Sequence, residues 1–386
     1  MRRAIVAVIV SATVAASCAT SVGSISREER SSWTAVPTAP LTPRFGAHAF
    51  WVEGEVLVLG GSASEPCPPG AACLPPSEPP LTDGAAFDPE TEAWKRIADS
   101  PVPLGWASGS VVGDTMYLLV SAQEDVPGTR RAFLAYNATE DQWDELPFPP
   151  NEDDPTFVLA ASDDRVIAYQ STQELGIGAD LQFDPSTRSW QELPRDPLVS
   201  SFDRTMVWTD AGLVLLGIEN VPQPGSEGPA VYRAALLDPK TESWRRLPDS
   251  EITGYDPSWF WTGGLLVNPT LGTSDGGDVN SWGRAYPHGG ILDPAKGAWA
   301  PLPDPPSPGP NFPPMAAGGT DYVSSFSGWA LHVPSRRWFE LGAPPGGAHE
   351  GQAITWAGDR LFVWGGVRWD GAEPTILADG WLWTAT

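Results

Sequence analysis

Nine residues of this 386-residue chain have the side chains a binding or catalytic site would need: Arg44, Trp106, Asp154, Asp203, Arg204, Asp256, Trp259, His349 and Glu350. Arg44, His349 and Glu350 combine a permanent cation, a titratable imidazole and a carboxylate, a set that can orient a polar ligand or move a proton. Asp154, Asp203, Arg204 and Asp256 add charge, and the Trp106 and Trp259 rings offer flat faces for stacking. The combination reads as a polar pocket with aromatic walls, suited to a sugar or a peptide. No P-loop, H-E-x-x-H or paired C-x-x-C is present, so NTPase and zinc-protease chemistry has no positive support.

Composition narrows the ligand. The formal charge is −25, which repels phosphate backbones and argues against nucleic acid as a partner. Glycine and proline are abundant at 40 and 42, but 19 tryptophans argue for a packed, globular chain rather than low-complexity disorder. With 3 cysteines, neither a disulfide-built scaffold nor a four-thiolate metal site can form. No cofactor or metal is expected. The acidic, glycine-rich run 275–280 could wrap calcium with oxygen ligands, but it lacks EF-hand spacing and reads as a solvated loop.

The N-terminus reads as an address. Arg2 and Arg3 precede an uncharged apolar run, 4–16, too short to span a bilayer comfortably, followed by small residues and Cys18. Ala15-Ala16-Ser17-Cys18 resembles the lipobox of bacterial lipoproteins, with Ala15 where that family usually has Leu. The resemblance implies lipidation of Cys18, a tether over 19–30, and a folded domain from 31 to 386 on the extracytoplasmic face of the membrane. The membrane would be contacted through the lipid anchor only, and the domain is expected to be a monomer. No later stretch reaches the ~18 apolar residues of a spanning helix. In an oxidising compartment Cys67 and Cys73, six apart in a Pro/Gly-rich loop, are expected to pair locally.

What must position the nine residues is a repeat. An apolar pair, Asp-Pro or a relative, a short polar turn and then Trp recurs at 86–94, 134–143, 183–190, 237–244 and 292–299, with a degenerate copy at 332–338. Leu-Pro commonly follows the Trp. Asp-Pro presets a turn, and Trp suits the pleated strand that follows, so each phrase is a β-hairpin. A second hairpin lies upstream, most clearly at 50–61 and 356–366, each ending in Gly-Gly. Two hairpins make a four-stranded unit. Gly-Gly ends, Asp-Pro turns and spaced Trp together resemble the kelch repeats of β-propellers over residues 31–386, which implies an all-β ring of blades. Six units are complete near 44–97, 104–146, 154–193, 202–247, 255–302 and 311–341. The last lacks a fourth strand, and 32–37 reads like that strand, which predicts a seven-bladed propeller closed by its own N-terminus, at about 51 residues per blade.

In such a ring the long loops gather on one face, where binding is expected. Aligned on the Gly-Gly hairpin, Arg44, Leu104, Asp154, Ser201, Gly254 and His349 fall at one level around the pore mouth. His48 is assigned a structural role. Trp33, Trp94, Trp143, Trp190, Trp244, Trp299 and Trp338 are repeat positions assigned to packing, Trp51, Trp208, Trp261 and Trp356 to the core. Trp106, Trp259, Trp282 and Trp369 are left as stacking candidates. The resemblance favours a non-catalytic binding module for a protein or glycan. The alternative is a carbohydrate-active enzyme of the sialic-acid mutarotase or galactose-oxidase-like class, the first needing a pocket arginine and a carboxylate such as Arg44 and Glu350. The copper site of the second needs two His, two Tyr and a Cys joined to one Tyr, and no such set is visible among His48, His288, His332, His349 and the later cysteines. A third possibility is an assembly partner using the same face.

Overall fold

A computed structural model describes residues 32–123, 125–150, 157–162, 164–172, 178–219, 231–253, 258–271, 286–305, 316–325, 328–347 and 349–385. They form seven four-stranded antiparallel sheets arranged as a β-propeller, with one additional two-stranded hairpin and no helix among the described residues. Six blades are consecutive in sequence, each ordered one to four from the axis outward. The seventh takes its inner three strands from the C-terminus (Ala353–Ala357, Arg360–Trp364, Gly380–Thr384) and its outer strand from the N-terminus (Ser32–Ala35). Trp33 lies in register with Trp383. Inner strands of neighbouring blades touch all the way round, from blade seven to blade one and on to blade six.

Local chemistry explains each hairpin. In four of the Asp-Pro turns the aspartate Oδ1 accepts a backbone N–H ahead of it: from Glu90 to Asp88, Ser186 to Asp184 and Lys240 to Asp238, each at 2.8 Å, and from Lys296 to Asp293 at 3.0 Å. Asn137 does the same for Glu140. Side-chain bonds from Thr91, Ser186 and Lys296 first, and then these backbone bonds, hold the carboxyls of Asp88, Asp184 and Asp293 below their ordinary range, and the Lys240 backbone bond leads for Asp238.

Between blades, apolar faces interlock. The second and third strands are almost wholly buried, as in Glu55–Leu59 and Gly84–Asp88, and side chains of adjacent blades share clusters such as Leu57, Leu59, Ala86, Leu118 and Leu134. A polar link sits at the outer edge of that packing. Each of the seven repeat tryptophans donates its indole N–H to a carbonyl where the preceding blade ends: Trp94 to Pro37, Trp143 to Ala98, Trp190 to Pro147, Trp244 to Pro194, Trp299 to Pro248, Trp338 to Pro303 and Trp33 to Leu341, at 2.7–2.9 Å.

The Gly-Gly pairs mark close backbone approaches between blades. Gly61 N donates to Leu104 O of blade two, and Gly366 N to Arg44 O of blade one. All four glycines have positive φ, and a Cβ added at Gly60 would lie 2.4 Å from Leu104 O. At Gly60 and Gly365 a Cβ would press on the neighbouring blade, and at Gly61 and Gly366 on the lead-in to the inner strand of their own.

Trp33→Phe keeps most of the ring but removes the donor that ties the N-terminal strand of blade seven to blade six. We expect it to destabilise by ~1–2 kcal/mol, the cost of leaving a partly buried carbonyl unmatched. The checking measurement is the denaturant midpoint, followed by tryptophan fluorescence and circular dichroism.

Candidate functional site

The two arginines and the histidine expected at the pore mouth are consumed by the scaffold. Arg44 is fully buried and its guanidinium is saturated. Its five N–H donors find five acceptors: Asp83 Oδ1 at 2.6 Å, Asp83 Oδ2 at 3.1 Å, Gly60 O at 3.3 Å, Thr42 O at 3.0 Å and Thr42 Oγ1 at 2.9 Å. Burial pushes the Asp83 carboxyl up, but the Arg44 guanidinium outweighs it and holds the group below its ordinary range.

Arg204 performs the same task two blades away. It donates to Gln170 O at 2.6 Å, to both oxygens of Asp180 at 3.1 and 2.7 Å, and to Asp196 Oδ2 at 3.3 Å. Asp83 and Asp180 each precede the third strand of a blade, while Gly60 follows the second strand of its blade and Gln170 ends that of its own. Either arginine therefore clamps the second strand to the third, although Arg44 comes from the lead-in of its own blade and Arg204 from a bulge in the inner strand of the next. Asp203 sits in that bulge with φ 49°.

His349 is buried, with Nδ1 3.3 Å from Gly365 O and 3.3 Å from Gln352 Nε2. Glu350 is exposed and accepts the Trp369 indole N–H at 2.9 Å. The backbones of Arg44, His349 and Glu350 converge on Gly366, whose N–H donates to Arg44 O and whose added Cβ would lie 2.7 Å from Glu350 O. Their side chains nevertheless take separate partners, so Arg44 and Glu350 do not form an open acid–base pair. Trp259 is corrected as well: it is 3% exposed, packed edge-on against Tyr232 and Trp299, and cannot offer a face to a ligand on the loop side. Asp154, Asp256, Cys18, Trp282 and the run 275–280 lie outside the described residues. So does 272–276, which reads Gly-Thr-Ser-Asp-Gly with G-x-S-x-G spacing.

Trp106 behaves differently. It is 70% exposed, and it stands at the edge of a cleft of about 690 Å³ between blades one and two on the loop-bearing face. Phe45 and Gly46 line it from the pore mouth, and Pro75, Pro76, Glu78 and Pro80 from the long loop of blade one. Gln123 and Val126 come from the corresponding loop of blade two. A disulfide joins Cys67 to Cys73 in the loop that supplies the proline wall, and Leu74 beside it is 91% exposed. The wall leans on blade two: a Cβ at Gly105 would lie 2.8 Å from Pro80 Cγ, and one at Gly128 3.6 Å from Pro79 Cβ.

His48 fixes the Trp106 side of the cleft. Its Nε2 is 2.7 Å from Gly105 O, so that nitrogen carries the proton and donates across the blade boundary. Desolvation lowers its pKa from the ordinary value of 6.5, outweighing the bond to Gly105. Phe45, Glu78, Gln123 and the prolines are the site residues that sequence reasoning did not single out. The proline run itself was the visible signal.

A second large space, about 900 Å³, is the central channel. It is lined by inner strands of blades two to six, including Val158, Met206, Trp208 and Trp261. Among the described residues no cluster of three or more His, Cys, Asp or Glu could hold a metal ion. Compared with known proteins, the chain matches no protein-family model and no curated protein.

Two outcomes are expected. Arg44→Met should lower stability by roughly 2–4 kcal/mol, less than for a fully buried pair because Asp83 keeps some solvent and a second arginine, Arg96, at 3.5 Å. The denaturant midpoint at neutral pH measures it. For His48 the folded pKa lies below 6.5, so the unfolded chain binds the extra proton more readily. Its contribution is present above pH 6.5 and is lost as pH falls below it. A denaturation series from pH 7.5 to 5 should therefore fall more steeply for the native protein than for His48→Gln, whose amide can still donate to Gly105.

Proposed function

We propose that this chain is a non-catalytic binding module of the kelch-propeller type, held by a lipid at the extracytoplasmic face of a membrane, and that it binds a protein or glycan on its loop-bearing face. The observation that carries the binding role is the Trp106 cleft. A large indole face stays open to solvent beside a proline wall, although every blade boundary around it is closed by packing. The kelch assignment is supported by the Gly-Gly ends, Asp-Pro turns and spaced tryptophans. The anchor is supported by the sequence from Arg2 to Cys18 and by the polar tether after it. A catalytic role finds little support, since the arginine and histidine nearest the pore mouth are already committed to carbonyls and carboxylates.

Two measurements test this. The purified chain, screened on glycan and peptide arrays, should yield a ligand whose affinity falls at least tenfold in Trp106→Ala but is unchanged in Val199→Ala, an exposed apolar position elsewhere. Equal binding by both variants would remove the cleft from the account. In cells, an alkyne fatty-acid label should be incorporated by the native chain and lost in Cys18→Ser. Label retained by that variant would dismiss the anchor.

A further inference from the structure

We infer that the Trp106 cleft takes a cationic, apolar peptide segment, one carrying Lys or Arg beside proline or aliphatic residues. This rests on the binding-module reading and selects between its two ligand classes. The first argument is charge. Among the described residues Glu78 is the only charged side chain lining the cleft, and none of them is a Lys or Arg that would meet an anion. An anionic sugar or acidic peptide would lose hydration there without gaining a partner. The whole chain, at −25, repels such ligands and steers cations inward.

The second argument is the shortage of hydrogen-bonding groups. A sugar ring presents hydroxyls around its whole edge, and each must be matched when buried. Among the described residues the lining side chains offer Glu78, Gln123, the Trp106 indole N–H and the Ser62 hydroxyl, whose oxygen already accepts the Ser64 N–H, while Gly61 has both backbone groups in use. Phe45, Trp106 and the prolines supply apolar surface instead. Aromatic faces next to one carboxylate match an alkyl stem ending in a cation, through ring contact, cation–π attraction and ion pairing.

The test uses fluorescence anisotropy on the purified chain. The probes are a labelled library of short peptides built from proline, aliphatic residues and Lys or Arg, an otherwise identical library with Asp or Glu in their place, and two neutral oligosaccharides, maltoheptaose and cellohexaose. The expected result is selection of basic peptides, with affinity reduced about tenfold in Trp106→Ala and again in Glu78→Lys, and partial recovery in Trp106→Phe. Trp106-dependent binding of an oligosaccharide or an acidic peptide would overturn the inference while leaving the binding module in place. Basic peptides binding undiminished to both Trp106→Ala and Glu78→Lys would also overturn it, since that is diffuse attraction to an acidic protein. If no probe of any class binds, both readings fall.

Discussion

One interaction, repeated seven times, holds this molecule in register: an indole N–H on the outer strand of each blade reaches the carbonyl where the previous blade ends. Donor and acceptor belong to the same sequence phrase. In Trp-x-x-Leu-Pro the tryptophan points back to the preceding blade, and in four blades the proline carbonyl receives the indole of the next. Proline suits that place because it has no N–H to leave unmatched as the chain quits the sheet edge. The phrase is thus a connector with two complementary ends, and copies of it propagate a ring. Blades seven and one accept in variants of the phrase, where Val36 and Ile97 replace the leucine and Ala98 replaces the proline; Ala98 shows that the carbonyl position matters more than the residue bearing it.

Closure combines the backbone pairing of Ser32–Ala35 with Gly380–Thr384 and the same indole bond, made across 308 residues of sequence from Trp33 to Leu341 of blade six. Without it, blade seven would lose its outer strand and blade six would end on an unmatched carbonyl. The ends of the chain are the joint, so the first described residues are as structural as any inner strand.

The fold was legible because its determinants are local: turn chemistry, tryptophan spacing and Gly-Gly can each be read within ten residues. The candidate site was legible only in part. Arg44, Arg204 and His349 carry the residue types of a pocket, but what they do depends on carbonyls and carboxylates brought in by the fold, and Asp83 and Asp180 are far from their arginines in sequence. Trp106 and Trp259 make the point sharply. Both stand one residue before an inner strand, Ala107–Val112 and Phe260–Trp261. One faces solvent and the other meets Tyr232 and Trp299. No local pattern separates them, because the difference lies in what the neighbouring blade presents.

That dependence also ties the cleft to the ring. Phe45, on one side, packs against Gly351 of blade seven, and Gly46 N donates to Gly351 O across the closing seam. Gly105 and Trp106, on the other side, are held by His48 from blade one. The two sides therefore belong to different inter-blade contacts, and their separation is set by how blade one sits between its neighbours. A repeat architecture gives each blade boundary the same scaffold. Here one boundary carries a proline-walled loop and an uncovered indole, so specificity arises from what is added to the scaffold, while the geometry that keeps the cleft open is supplied by the closure of the ring itself.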